Sequence, residues 1–332
     1  MLEDHGRDWH IYYDDTPQVW AFINLWNTPE RHANWFAFSE FERHAREGTL
    51  PAYSFIEPNH RPVVHTVDHA PLVGEPDVSN SQHPGNSLIS DGAYDAAPAE
   101  LPGDFLRAEA LIAQVYEALR ANPELFNRTI LLITYDEHGG LYDHVPPPTG
   151  VPNPGSDPTL LRRILRAIYR RKSAAFDFAT LGPRVPAVVV SPYVEPGTVS
   201  TDTHDHASIP STLRALFAAD AHPLTSRDAW AAPFHQVLQR STPRSGAELP
   251  DLAANRTSQP PVVPAASAGA LAGPANPVAH FQPFIGLADD VRRVLTSQGV
   301  PEATLAPGTP ARQRATQTTD AFHAQAERSR AN

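Results

Sequence analysis

No cysteine occurs among the 332 residues. Disulfides, thiolate zinc sites and cysteine nucleophiles are therefore excluded together. The compartment stays open, because a cysteine-free chain is indifferent to its redox surroundings. Long apolar runs are lacking too. No window approaches 18 uncharged apolar residues, so no segment reads as a membrane span. Positive charge is in deficit: 26 Lys and Arg face 37 Asp and Glu, a net charge of -11. Nucleic-acid phosphates require clustered cations, so no nucleic-acid partner is expected. The opening residues, Met-Leu-Glu-Asp-His-Gly-Arg-Asp-Trp-His, have neither a basic n-region nor an apolar h-region. They do not read as a signal peptide.

What is present is a globular composition, with 41% hydrophobic and 19% charged residues. The length suits one large domain or two ordinary ones. Thirty-five prolines predict many long loops. Sixteen histidines leave His, Asp and Glu as the ligands and acid-base groups.

Residues 1–50 are rich in aromatics, from Trp9, Tyr12 and Tyr13 to Trp35, Phe36 and Phe41. Apolar spacing predicts a helix over Asn34–Arg46, stopped by Gly48. Pro51–Ile56 reads as a short buried strand. A loop from Glu57 to about Asp104 carries seven prolines and four histidines. Loops of that length are functional or disordered. An amphipathic helix is expected over 105–121, with Leu111, Ile112, Val115 and Leu119 on its apolar face and Asn122-Pro123 at its end. Thr129–Thr134 is a continuous apolar run, of the kind buried on both faces of a parallel sheet. A loop runs from Tyr135 to Gly155. A basic helix over 159–172, a strand over Pro186–Ser191 and a helix over about Ile209–Phe217 follow. Ser208 is the expected N-cap and Pro210 lies in the first turn. Strand and helix alternate, which predicts an α/β sandwich with a mostly parallel central sheet. Residues 1–240 would form that domain. Residues 241–332 would be a Pro/Ala-rich extension, with a linker to about 280, short helices at Leu287–Gln298 and Pro310–Arg330, and no part in the core.

The sharpest chemical signal is Tyr135-Asp136-Glu137-His138-Gly139-Gly140 followed by Asp143-His144. It leaves the end of a strand, where open α/β sheets place their sites. Adjacent carboxylates and nearby imidazoles suit a hard or borderline divalent cation. A solvated acidic loop turning at its glycines would look the same. His83-Pro84 in the long loop offers a metal or anion ligand, or simply a solvated histidine. Thr201–His206 places Asp205 and His206 before a helix N-terminus, where anions are favoured, although helix capping alone accounts for the acid. The arginines of the basic helix read as a solvated face or a patch for an anionic partner.

The run Thr129–Pro148, containing Tyr-Asp-Glu-His-Gly-Gly-Leu-Tyr-Asp-His-Val-Pro-Pro-Pro, resembles the hallmark of the bacterial phosphoesterase family. That family holds phospholipases C and acid phosphatases within the alkaline phosphatase superfamily. Gly48–Pro58, His83-Pro84, Gly182–Tyr193 and Asp205–Ser208 resemble further segments of it. The resemblance covers roughly residues 6–240. It implies an alkaline-phosphatase-like α/β fold and hydrolysis of a phosphate ester, either a phospholipid head group or a soluble phosphomonoester. It implies that Asp136 and Glu137 hold a divalent metal ion, of which Ca, Mg, Mn and Zn are the candidates. It implies that His83 binds the phosphoryl group or protonates the leaving group. His138, His144 and His206 fall in matching motifs and join His83 as candidate catalytic residues, while Asp143 and Asp205 lie beside them.

Two departures stand out. The segment between His83 and the following helix is longer than the family's. Members also begin with a strand and a Glu-Asn-(Arg/His)-Ser-Phe-Asp motif, followed by the segment with the nucleophilic Ser or Thr. Neither is found here, nor is the export signal that would precede them. The chain therefore reads as N-terminally incomplete, its hydrolase activity impaired. Ser90, Thr134 and Ser191 lie outside the nucleophile motif. A non-catalytic metal-binding or interaction module on the same scaffold is the alternative.

Overall fold

The computed structural model describes residues 1–14, 17–59, 80–82, 106–139, 141–155, 178–257, 288, 290–300 and 311–331. The main elements along the chain are β1 (Trp9–Tyr13), α1 (Pro29–His32), β2 (Trp35–Ala37), α2 (Ser39–Glu47) and β3 (Tyr53–Ile56). Then come α3 (Leu106–Arg120), α4 (Pro123–Phe126), β4 (Leu131–Thr134), β5 (Ala187–Val190), α5 (Ser208–Phe217), α6 (Ser226–Trp230) and α7 (Ala311–Ala331). The chain divides into two compact units. One contains residues 1–8 and 126–249, the other residues 9–125 and 250–332.

The unit of residues 9–125 and 250–332 holds a parallel three-stranded sheet in the order β2-β1-β3. Its register pairs Ile11 with Trp35 and Phe55. Parallel neighbours need crossover connections. The segment carrying α1 supplies the first and α2 supplies the second. The central strand Trp-His-Ile-Tyr-Tyr is nearly all buried, as aromatic and β-branched side chains on a pleated surface prefer. The helix expected over Asn34–Arg46 is corrected to a strand followed by a helix. Trp35 and Phe36 enter the sheet, and only Ser39–Glu47 coils. Gly48 does end α2. It adopts φ +70°, and its N–H closes on the Ala45 carbonyl. Asn122 donates to the Arg46 carbonyl at 3.0 Å and accepts from the Leu125 N–H, so one amide caps two helices.

α3 appears where expected, but its buried stripe is largely alanine: Ala108, Ala110, Ala113 and Ala118 with Val115, Tyr116 and Leu119. Close approach follows from those short side chains. The residues after 250 return to this helix. The Tyr116 hydroxyl donates to the Pro250 carbonyl, and Glu117 accepts from the Leu252 N–H. At the other end, Phe322 of α7 is wholly buried among Trp20, Trp26, Trp35 and His32, with ring centroids 4.1–5.7 Å away. The extension, expected to take no part in the core, thus supplies a buried ring. Its weak hydrophobic periodicity concealed one aromatic anchor.

The unit of residues 1–8 and 126–249 holds an antiparallel pair, β4 with β5, in which Leu131 faces Val190 and Thr134 faces Ala187. The mostly parallel sheet is thus observed only for β1–β3. The apolar run ending at Thr134 is half-buried rather than sealed on both faces, and Val188 opposite is 54% exposed. A continuous apolar run does not by itself distinguish the two arrangements. α5 begins at Ser208, one residue before the expected start, and Ser208 lies inside it rather than capping it. The turn before the helix belongs to Asp205. The expected basic helix over 159–172 lies outside the described residues. Among the described residues, no helix is long and apolar enough to cross a membrane.

Candidate active site

β4 delivers the chain to its carboxyl end at Thr134, and the acidic loop begins one residue later. The loop is shaped by its own backbone. The Asp136 carboxylate accepts from the Glu137 N–H at 3.0 Å, and the Glu137 carboxylate accepts from the Gly139 N–H at 2.6 Å. Gly139 has φ +66°, a conformation that glycine adopts without strain. The His138 ring lies 3.1 Å from the Leu141 carbonyl through Nδ1, which must donate to it. Beyond the turn, the segment runs antiparallel to residues 179–181. Thr149 bridges Thr180, and the Val151 N–H donates to the Ala179 carbonyl.

Asp143 is gripped by Arg184. Arg184 Nε and Nη2 donate to its two oxygens at 2.9 Å each, and the backbone N–H of Arg184 adds a third bond. These bonds, with that from the Val145 N–H, hold the Asp143 carboxyl well below the usual carboxylate range. His144 stands 3.8 Å from the same carboxylate and is 80% exposed. Asp205 has the corresponding relationship with Arg227, at 3.0 Å, and accepts from the Ala207 N–H as well.

Two of the candidates meet across the unit. His206, just before α5, places Nε2 2.7 Å from the backbone carbonyl of Asp136. A carbonyl only accepts, so Nε2 carries the proton. The loop after β4 and the turn before α5 are therefore in direct contact.

The carboxylates do not converge. Among the described residues, no three His, Asp or Glu side chains gather as a cation would require. Asp143 and Asp205 are each neutralised by an arginine, while Asp136 and Glu137 are exposed and turned onto neighbouring amides. Two adjacent carboxylates alone do not make a metal centre. His83 and Ser90 lie outside the described residues. Thr134 and Ser191 do not offer a ready nucleophile. The Thr134 hydroxyl donates to the Pro186 carbonyl at 3.0 Å, and Ser191 is 1% exposed.

A model of the Phosphoesterase family matches residues 1–219 and so ends just beyond α5. The chain belongs to the Phosphoesterase family. The match takes in the Asp136 loop, Asp143, Arg184 and Asp205-His206. The chain is similar to non-specific phospholipase C3 of Arabidopsis thaliana, at 34% identity over 268 residues, which is 76% of this chain and 42% of the relative. Non-hemolytic phospholipase C of Burkholderia pseudomallei is 37% identical over 145 residues, 42% of this chain and 20% of that protein. Phospholipase C A of Mycobacterium tuberculosis is 30% identical over 237 residues, 69% of this chain and 39% of its own length. The chain spans about two fifths of the length of the plant relatives it matches.

Sequence reasoning missed both arginines. Arg184 lies inside the Gly182–Tyr193 segment, where nothing in the sequence gives it a role. Arg227 lies beyond every motif, and nothing in its local sequence marks it.

Proposed function

We propose that this chain acts in the hydrolysis of phosphate esters. The observation that carries the reading is the 2.7 Å contact between His206 and the Asp136 carbonyl, which joins two separate family motifs in one exposed site. The substrate is a phosphate ester of the phospholipid head-group or soluble phosphomonoester type. The names of the relatives favour the former.

Within this reading the histidines move protons and orient the ester. His138 uses Nδ1 to hold the loop, which leaves Nε2 for proton exchange with a leaving oxygen. His144, exposed beside the Asp143–Arg184 pair, and His83 are the other candidates for contact with the phosphoryl oxygens. A divalent cation would supply charge stabilisation for a phosphoryl group. Asp136 and Glu137 are the exposed carboxylates that would hold it. With Thr134 and Ser191 engaged or buried, this chain alone should turn over slowly.

The test is release of a chromophore from a phosphodiester and a phosphomonoester, with each of Ca²⁺, Mg²⁺, Mn²⁺ and Zn²⁺ and with chelator. Preference between the two esters assigns the substrate class. A rate unchanged by Asp136→Asn and by His206→Ala would refute the proposed site.

The alternative is a non-catalytic binding module. It is favoured by one feature: Asp143 and Asp205 are spent on arginines. Binding of a non-hydrolysable phosphonate without any turnover would support it.

A further inference from the structure

The structure assigns a role to a residue outside every motif: we propose that Arg227 is a positioning residue, whose grip on Asp205 keeps His206 on the Asp136 carbonyl. The meaning of that role for hydrolysis rests on the function proposed above, but its geometry does not.

Arg227 comes from a firmly fixed support. α6 is one turn long, and Thr225 caps it by accepting from the Asp228 N–H. Asp228 is 2% exposed, accepts from the Leu224 N–H at 2.7 Å, and lies 3.5 Å from Arg214 of α5. The Ser211 hydroxyl of α5 donates to the Ala231 carbonyl just after α6. These contacts between neighbouring helices fix where the Arg227 side chain departs.

Its guanidinium then spends its donors in three directions. Nε donates to the Pro152 carbonyl at 2.6 Å, Nη2 to the Phe178 carbonyl at 2.6 Å, and Nη1 to Asp205 at 3.0 Å. A planar fork anchored at three points cannot swing without losing bonds, and lysine cannot reproduce that reach. Phe178 has φ +57°, a conformation uncommon for a residue with a side chain, and its carbonyl faces the guanidinium. Both members of the pair are mostly shielded, with side chains 11% and 12% exposed, which strengthens a charged hydrogen bond.

Asp205 passes the constraint on. Its second oxygen accepts from the Ala207 N–H, and its own N–H donates to Ser208. His206 lies between these anchors, so its backbone is fixed on both sides. The imidazole is exposed, and among the described residues its bond to Asp136 and this turn direct it. Arg227 thus acts on His206 through Asp205 and the turn that Asp205 fixes, and its bond to the loop after β4 falls at Pro152, away from Asp136.

The test is histidine ring ¹⁵N NMR of the full chain at one fixed neutral pH, with His206→Gln used for assignment. Wild type should show His206 in the Nε2–H form demanded by a carbonyl acceptor. Arg227→Lys and Arg227→Met should convert it to the mixture of tautomers of an unrestrained histidine, while the His5 signals stay in place. Should the Met variant fail to fold, the Lys variant decides. A His206 that keeps its Nε2–H signature in a folded variant overturns the proposal, as does a wild type that already shows the mixture. Ester hydrolysis by the same samples is scored separately. A restrained His206 without turnover would refute the hydrolase reading and leave the positioning role standing.

Discussion

Arg184 holds Asp143 by two parallel hydrogen bonds of 2.9 Å, and its backbone N–H supplies a third. The residues are 41 positions apart, and the pair pins the far side of the acidic loop to the start of β5. The carboxyl is held low, so it remains charged throughout the neutral and moderately acid range. Its contribution is present above the ordinary aspartate range and is lost only as pH falls through the depressed folded value. Arg184→Gln should raise the Asp143 pKa toward that of a free aspartate, as carboxyl ¹³C NMR would record. It should also make Leu141–Val145 more open to proteolysis. An unmoved pKa would mean that the backbone donors alone set it.

Burial pushes the His32 imidazole down to about 4; the bond to the Phe322 carbonyl opposes this in part, and Arg328 and Arg330 add weaker repulsion. His44 is lowered by burial and by Arg43. Its hydrogen bonds give a reason. Arg43 donates to Nε2, so Nδ1–H donates to Tyr12, whose hydroxyl faces His10. A second proton on His44 would point at a guanidinium. Both histidines bind protons more readily unfolded than folded, so their contribution is complete above about pH 6.5 and falls as pH drops. For His32 the loss between pH 6.5 and 4 amounts to ~3 kcal/mol. Urea unfolding at pH 7.5, 6 and 5 should show that decline, and His32→Asn should flatten it.

Much of this was legible from the residues and some was not. α3, β3, the Gly48 stop and the Asp136 loop after a strand followed from periodicity, turn chemistry and motif. The central strand Trp9–Tyr13 is a five-residue β-prone run whose place inside a longer aromatic-rich stretch hides its bounds. Strand partners were not legible, since Leu131–Thr134 has the same apolar run whether its neighbour is parallel or antiparallel. The arginine partners of Asp143 and Asp205 were hidden for another reason: ion pairs join residues that sequence spacing does not connect. Phe322 was missed because one buried ring in a polar helix leaves no periodic trace.

That ring yields the next prediction. Phe322 fills the space between three tryptophans and His32. Phe322→Ala should cost about 3–5 kcal/mol, read as a lower denaturation midpoint. Removal of residues 311–332 should cost at least as much. Unchanged stability would show that α7 does not occupy this place in solution.

Asp136 and Glu137 are neighbouring, exposed carboxylates whose mutual repulsion a cation would relieve. Weak binding should raise the melting midpoint by mass action only at millimolar concentrations. The rise should vanish in Asp136→Asn/Glu137→Gln. Equal shifts in both proteins would place the cation elsewhere.

Arg227→Met removes one partner of a shielded ion pair and leaves Asp205 without its cation. Such losses cost about 3–5 kcal/mol. Asp205→Asn/Arg227→Met should recover part of that in a double-mutant cycle, because the stranded charge is gone. Additive losses would mean that the two residues stabilise the fold independently.

The central claim is that the Asp136 loop and His206 form a phosphate-ester site. It is tested most directly by the rate of chromogenic phosphodiester hydrolysis by wild type and Asp136→Asn, each at saturating substrate with divalent cation present. The account predicts a slow wild-type rate above background and at least a tenfold loss in the variant. Equal rates in the two proteins, or no turnover by wild type, would contradict it.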